Sequence, residues 1–450
     1  MMIDLLFSRI LTGTTLGFHI FFATLGVGIP VLISLAELIG IRKKDPEYIL
    51  LARRWSKGFV ILVAVGVVTG TTIGFQLNLL WPRFMELAGE LISLPFMMEA
   101  FAFFLEAIFL GIYLYTWGRF KNPYLHWLFS LPVIIGSSMS AALITTVNAF
   151  MNAPAGFRIV DGQLVDIDPL AAILNPATPS KVFHVLSSSY FTTACALVAL
   201  TAFFILFRKK RISYFKKALT LTMSFALVTG ILTAVAGDVS AKYMAAYNPE
   251  KLAAAEALFE TTKGAPLLVG GLVDKETQEI HYKIELPKML SFLSFGDFNA
   301  EVRGLNAFPK EVQPPVEIHY MFQVMVAAGV FGITLSALFL WGRWRKKKYT
   351  FSNWMLRLAV LLGPVGIVGM ECGWIFTEIG RKPWIIYGVM KMEDAVTSMT
   401  GIREYFFLFV LIYLLIALAT AFVMISFFKK RPVEQDPQYR EIHSGGGMRR

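Results

Sequence analysis

The sequence predicts an all-α polytopic membrane protein with about nine transmembrane helices. Hydrophobic residues make up 56% of the chain and charged residues only 16%, where soluble domains average about 25% charge. Several apolar runs reach or pass the roughly 20 residues that cross a bilayer as a helix. Lys and Arg then gather in alternate segments between those runs, as the positive-inside rule demands. The net charge of +11 would point to nucleic acid in a soluble chain. Here topology accounts for it, and no nucleic-acid partner is expected. Cys195 and Cys372 both fall inside apolar runs. Two such thiols are too few for a disulfide scaffold and read as small buried side chains. The N-terminus has neither a basic leader region nor a small-residue exit, so no cleaved signal peptide is expected.

Hydropathy places the spans near 13–40, 58–80, 94–117, 127–150, 181–207, 218–242, 317–341, 355–379 and 403–428. One set of connecting segments carries Arg42, Lys43 and Lys44, then Arg53, Arg54 and Lys57, then Arg119 and Lys121. It continues with Arg208–Arg211, Lys216, Lys217, Arg343, Arg345–Lys348 and a basic tail that ends on Arg449 and Arg450. More than half of the 42 Lys and Arg lie there. The short segments 81–93 and 151–180, expected as loops on the other side, carry only Arg83 and Arg158. This asymmetry puts the N-terminus outside and the C-terminus in the cytoplasm. The chain divides into a first membrane part (1–242, about six helices), an extracytoplasmic loop (243–316), a second membrane part (317–428, about three helices) and a tail (429–450). The tail, which ends Ser-Gly-Gly-Gly-Met-Arg-Arg, reads as disordered. The long loop opens with a short helix carrying Lys251 and Glu256, and its mixed charges and aromatics favour a folded lid. Turn signals at Asp161-Gly162 and Asn175-Pro176 mark the smaller outer loop.

The stretch Met370–Trp384 stands out because Glu371, Glu378 and Arg381 close an apolar run. A carboxylate in such a helix costs roughly 2.5–3.5 kcal/mol on insertion scales unless it faces a bundle interior, a pathway or a bound cation. Histidines are few. His19 and His184 fall in the outer halves of their spans, His126 and His319 at span entrances, and His281 and His443 outside the membrane. A lone histidine in a span is commonly an interhelical hydrogen-bonding group. At the depth of His19 and His184, however, the sequence also places Glu378 and the segment H-Y-M-F-Q-V-M, and haem iron takes axial ligands of these types. In span three, Glu99 and Glu106 stand seven apart and share one helical stripe, with Glu106 about 10 Å deeper. Aligned buried carboxylates suit a proton relay; the alternative is a structural pair bonded to Ser137, Ser138, Ser140, Thr145, Thr146 or Asn148 of span four.

These residues resemble, over nearly the whole chain, subunit I of the cytochrome bd-type quinol oxidases. Gly373–Trp384 is similar to the family signature G-W-x-x-x-E-x-G-R-x-P-W, which includes Trp374 and whose glutamate, here Glu378, is an axial ligand of a high-spin haem. The L-x-x-H around His19 resembles the other high-spin ligand site. His184 in K-V-F-H-V-L and Met325 in F-Q-V-M-V match the axial pair of the low-spin haem b. Glu99 and Glu106 match acids assigned to proton delivery. Lys251 and Glu256 in K-L-A-A-A-E match residues implicated in quinol oxidation. Arg9 and Arg381 are expected to pair with haem propionates. The resemblance implies two four-helix bundles plus one peripheral helix in the bacterial cytoplasmic membrane. It also implies a subunit II, a small single-helix subunit in some members, and menaquinol or ubiquinol as donor to dioxygen. The two high-spin sites hold haem b and haem d in an order that varies among members, and haem b can replace d. Lys382 and Gln323 depart from the family pattern, which often has Gln and a basic residue there. Both departures are expected to alter haem electrostatics and not ligation.

Two other classes compete. A secondary transporter would use Glu99, Glu106 and Glu378 for ions, but no internal repeat with broken midplane helices is evident. A haem-bearing electron conduit would not need the open-site ligands His19 and Glu378.

Overall fold

The computed structural model describes residues 2–161, 163–207, 213–397 and 399–443. Among them, nine helices are long and apolar enough to cross a membrane. They are α1 (Met2–Lys43), α2 (Pro46–Leu80), α3 (Pro82–Tyr115), α4 (Ser130–Asn152) and α5 (Thr178–Leu206). The set is completed by α6 (Ser213–Tyr247), α7 (Ile318–Trp344), α8 (Asn353–Ile379) and α9 (Ile402–Lys430). The basic cluster Arg208–Arg211, the turn residue Gly162 and the tail from 444 onward lie outside the described residues.

Local chemistry sets the helix ends. Asp45 caps α2 by accepting from the Glu47 amide at 3.1 Å, with Pro46 in the first turn, where its missing N–H costs nothing. Ser352 caps α8 in the same way through Met355. A six-residue helix, Pro123–Leu128, precedes α4 and is capped by Asn122.

The structure corrects three boundaries. The segment 81–93 is not a loop, because α3 begins directly at Pro82. Phe84, Ala88, Leu91 and Ile92 bury one face there while Arg83, Glu86 and Glu90 stay exposed, so this is an amphipathic extension of the span and not a connection. The long loop starts later than 243, since α6 runs on to Tyr247. The tail is not disordered throughout. Val433 is buried in the core around α1 and α2, Arg54 pairs with Asp436 at 3.3 Å and donates to the Arg431 carbonyl, and Pro437–His443 is helical.

The helices pack as two four-helix bundles, α1–α4 and α5–α8. In the second bundle, small residues bring the backbones close. A Cβ on Gly363 would lie 2.5 Å from Ala199, and one on Gly369 would lie 2.5 Å from Ala328. Such contacts suit helices that gain no hydrophobic drive from lipid. In α9 only Ile402 and Tyr413 are buried, and the helix lies against α1 and α2. Its anchor is Tyr413, which hydrogen-bonds Thr15 at 2.8 Å and stacks on Phe18. It is the peripheral helix.

Between α6 and α7 the chain folds into a lid, as its composition suggested. It comprises a helix Pro249–Ala255, short antiparallel pairs such as Leu267–Val269 with Ile284–Leu286, and a helix Met289–Phe295. The first turns of α7 hold it down. His319 bonds the Ala255 carbonyl, Tyr320 accepts from Val273 N, and Gln323 reaches both Leu268 and Gly270. Gln323, one of the two departures from the family pattern, is therefore a lid anchor.

Candidate functional site

His19 sits on α1, and its Nδ1 lies 2.9 Å from Thr69 Oγ1 of α2. That hydroxyl already donates to the Val65 carbonyl at 2.8 Å, so it accepts from Nδ1–H. The tautomer is thereby fixed and the Nε2 lone pair is left for a ligand, as metal-binding histidines require. Gly70 keeps the ring free, since a Cβ there would sit 3.1 Å from Cε1. His184 on α5 has a buried Nδ1 with no hydrogen-bond partner, and Gly237 of α6 faces its ring. Buried ring nitrogens are normally satisfied, so this one calls for a partner. Met325 on α7 lays its sulfur against α8, where a Cβ on Gly373 would meet Sδ at 3.0 Å. Trp374 follows on the same helix and is partly buried.

Near the end of α8, Glu378 receives two donors. Asn148 of α4 donates to Oε1 at 2.5 Å and Arg381 donates to Oε2 at 2.7 Å. Asn148 in turn accepts from Lys181 at 2.8 Å. Arg381 is 4% exposed, and its Nε and Nη1 are buried without partners. Arg9, partly buried on α1, acts on the neighbouring Lys382, whose ammonium is pushed down by burial and then by that guanidinium. Sequence reasoning offered Asn148 to the acids of span three; the structure gives it to Glu378.

On α3, Glu99 accepts from Ser140 at 2.7 Å. Glu106 is 6% exposed and is walled by Gly136 of α4, where a Cβ would fall 2.9 Å from its own. Ser138 bonds Tyr190 and not either acid. Sequence reasoning missed Glu37. It is buried in α1, accepts from Tyr113 at 2.7 Å and meets His126 at 2.6 Å. His126, at the entrance of the fourth span, is thus also a buried tie between α1 and α3. Glu371, two turns before Glu378, faces Gly17, with Oε2 3.3 Å from where a Cβ would stand.

The lid brings Lys251 to the same region. Its Nζ donates to the Thr377 carbonyl at 3.2 Å and lies over the Phe376 ring. Burial, then the nearby Arg381 charge, pushes this ammonium down to about 7. Glu256 is 3% exposed with Oε2 unpartnered, and burial pushes it up to about 8. Tyr387 donates to Glu250 at 2.7 Å. A small polar pocket lined by Asn152, Glu250, Lys251, Arg381, Lys382 and Tyr387 lies beside Glu378's helix end.

Comparison with known proteins decides the family. The model of cytochrome bd terminal oxidase subunit I matches residues 7–432. The chain belongs to this family. A putative cytochrome bd menaquinol oxidase subunit I of Bacillus subtilis is 43% identical over 438 residues, covering 96% of this chain and 98% of the relative. Cytochrome bd ubiquinol oxidase subunit 1 of the same organism is 31% identical over 468 residues, covering 99% of each. The solved bd oxidase of Geobacillus thermodenitrificans superposes with a TM-score of 0.92 at 50% identity, over 95% of this chain and 99% of that one. This bd-family subunit is a multi-pass protein of the bacterial cytoplasmic membrane and part of a haem-dependent terminal oxidase. Its residues fit haem. His19 keeps a free Nε2, His184 has an orphaned ring nitrogen, glycines face both rings, and the unpaired guanidinium N–H groups of Arg381 suit carboxylates.

Proposed function

We propose that this chain oxidises quinol beside the lid and reduces dioxygen to water at a pair of high-spin haems. In this reading His184 and Met325 hold a low-spin haem b. His19 and Glu378 each hold a high-spin haem, one of type b and the other d or a second b, with Arg9, Arg381 and Trp374 around them. The observation that carries it is the family match over residues 7–432, within which each candidate ligand is set against a glycine or a donor inside the bundles.

When bound, the haems supply the one-electron transfers and the oxygen chemistry. The protein supplies geometry and protons. Thr69 fixes the His19 tautomer, and Asn148 and Arg381 orient the Glu378 carboxyl group by donating to its two oxygens. Lys251 and Glu256 take the protons that quinol sheds. Glu106 and Glu99 pass protons inward from the cytoplasmic side. With the N-terminus outside and the C-terminus in the cytoplasm, quinol protons leave on the outer side and oxygen-bound protons come from within, so membrane potential builds without pumping. The quinol is menaquinol or ubiquinol. A subunit II completes the complex, with a small single-helix subunit where one is present, and surrounding lipid covers the apolar faces. In this reading the chain is two membrane parts joined by the quinol lid.

The proton-acceptor role predicts a pH profile. Lys251 is neutral above about 7 and Glu256 is ionised above about 8, so both become acceptors as pH rises. Quinol kcat/KM is expected to climb through this window. Glu256→Gln is expected to lose the upper part of the rise and Lys251→Met the lower part. Profiles unchanged in both variants would remove these residues from quinol oxidation.

A further inference from the structure

We propose that Lys181 is a positioning residue for Glu378, acting through the amide of Asn148, and that it thereby sets the reduction potential of the haem this carboxylate holds. The inference rests on the reading of Glu378 as a haem ligand. It follows from the direction of each hydrogen bond. A lysine ammonium only donates, so the Asn148 atom 2.8 Å from Lys181 Nζ is its carbonyl oxygen. The amide NH2 then faces the other way, onto Glu378 Oε1. Asn152 steadies the same residue by donating to the Asn148 backbone carbonyl at 2.8 Å. Three helices, α4, α5 and α8, thus carry one chain of bonds from a cation to a carboxylate.

Without the lysine, the amide oxygen keeps only a long contact from Asn152 Nδ2 at 3.4 Å, weaker than the 2.8 Å bond it loses. A flipped Asn148 would oppose oxygen to oxygen and withdraw a charge-assisted bond. Glu378 is already bonded at Oε2 by Arg381, and Lys251 and Arg381 lie close enough to act on the Lys181 charge. Three basic side chains, Lys181, Lys251 and Arg381, therefore surround one central carboxylate. Donors on both oxygens draw electron density from a carboxylate that ligates iron, which favours the ferrous state. Losing the Asn148 bond returns that density and favours the ferric state, so the potential falls. Outer partners of metal ligands commonly act in this way.

Lys181 also stands one turn before His184, so its bare charge reaches the low-spin site as well. A double-mutant cycle separates the two effects. In the purified oxidase complex, spectroelectrochemical titration of Lys181→Met and of Asn148→Ala should each lower the potential of the Glu378-held haem. The double variant should shift it no further than the larger single shift, and Lys181→Arg should stay near the parent. Additive shifts, or an unchanged potential in Asn148→Ala, would overturn the proposal. Should Lys181→Met not assemble, Lys181→Leu takes its place in the cycle. Glu378→Gln tests the underlying reading separately. Retention of every high-spin band there would remove Glu378 as a ligand, whatever the cycle shows.

Discussion

Replacing His184 with Ala is expected to abolish the low-spin haem signal while the high-spin bands persist. The side chain is held inside the second bundle with a buried ring nitrogen that no protein group satisfies, and Met325 lies across that bundle against Gly373. A methyl group supplies no lone pair, and altering only an outer partner of a metal ligand already costs about 10–100-fold in affinity or activity. Quinol-driven oxygen consumption should therefore fall by about 100-fold or more. Oxygen uptake driven by a small artificial reductant that reaches the high-spin site should fall less. The reading is checked by reduced absorption spectra and haem content of the purified complex. An unchanged low-spin band would sink the His184 assignment, and loss of all haems together would make His184 a folding residue.

Glu106→Gln is expected to slow turnover strongly while leaving haem content near that of the parent. Glu106 is buried in α3 where Gly136 lets α4 approach, and the isosteric amide keeps that packing but cannot carry a proton. Proton transfer by a positioned side chain is typically worth 10²–10⁴-fold, so a fall of roughly 100-fold per haem is expected. Glu99→Gln should be milder, because Glu99 already holds a donor from Ser140 that an amide oxygen also accepts. Oxygen consumption normalised to haem checks both. Full turnover in Glu106→Gln would leave Glu106 as packing only, and haem loss with normal turnover of the remainder would make it structural.

How much of this was legible in the sequence depended on whether the signal was local. Nine spans followed from composition and run length, because a bilayer imposes a fixed apolar length on each helix. Where a span continued beyond the membrane, hydropathy was blind. The amphipathic stretch Pro82–Ser93 carries polar residues on one face, so its average looks like a loop. The tail from Val433 to His443 packs through one buried valine and one ion pair, a signal too small to stand out among basic residues. At the site, residue types and depth singled out His19, His184 and Glu378, and the family resemblance singled out Met325. Their partners were not. Thr69 on His19, Lys181 on Asn148, and Glu37 on His126 are contacts between residues 33 to 89 positions apart. Helix packing creates such contacts, and no spacing rule on one helix reveals them. Polarity inside a span was the available clue for Asn148, Lys181 and Glu37, but it does not say which neighbour each one meets.

The central claim, that this chain carries oxygen-reducing haems in its two bundles, is tested most directly by a reduced-minus-oxidised absorption spectrum of the purified, detergent-solubilised complex. Bands of low-spin haem b together with high-spin haem, with or without a red-shifted chlorin band, are the predicted result. A flat spectrum from well-folded protein would contradict the account.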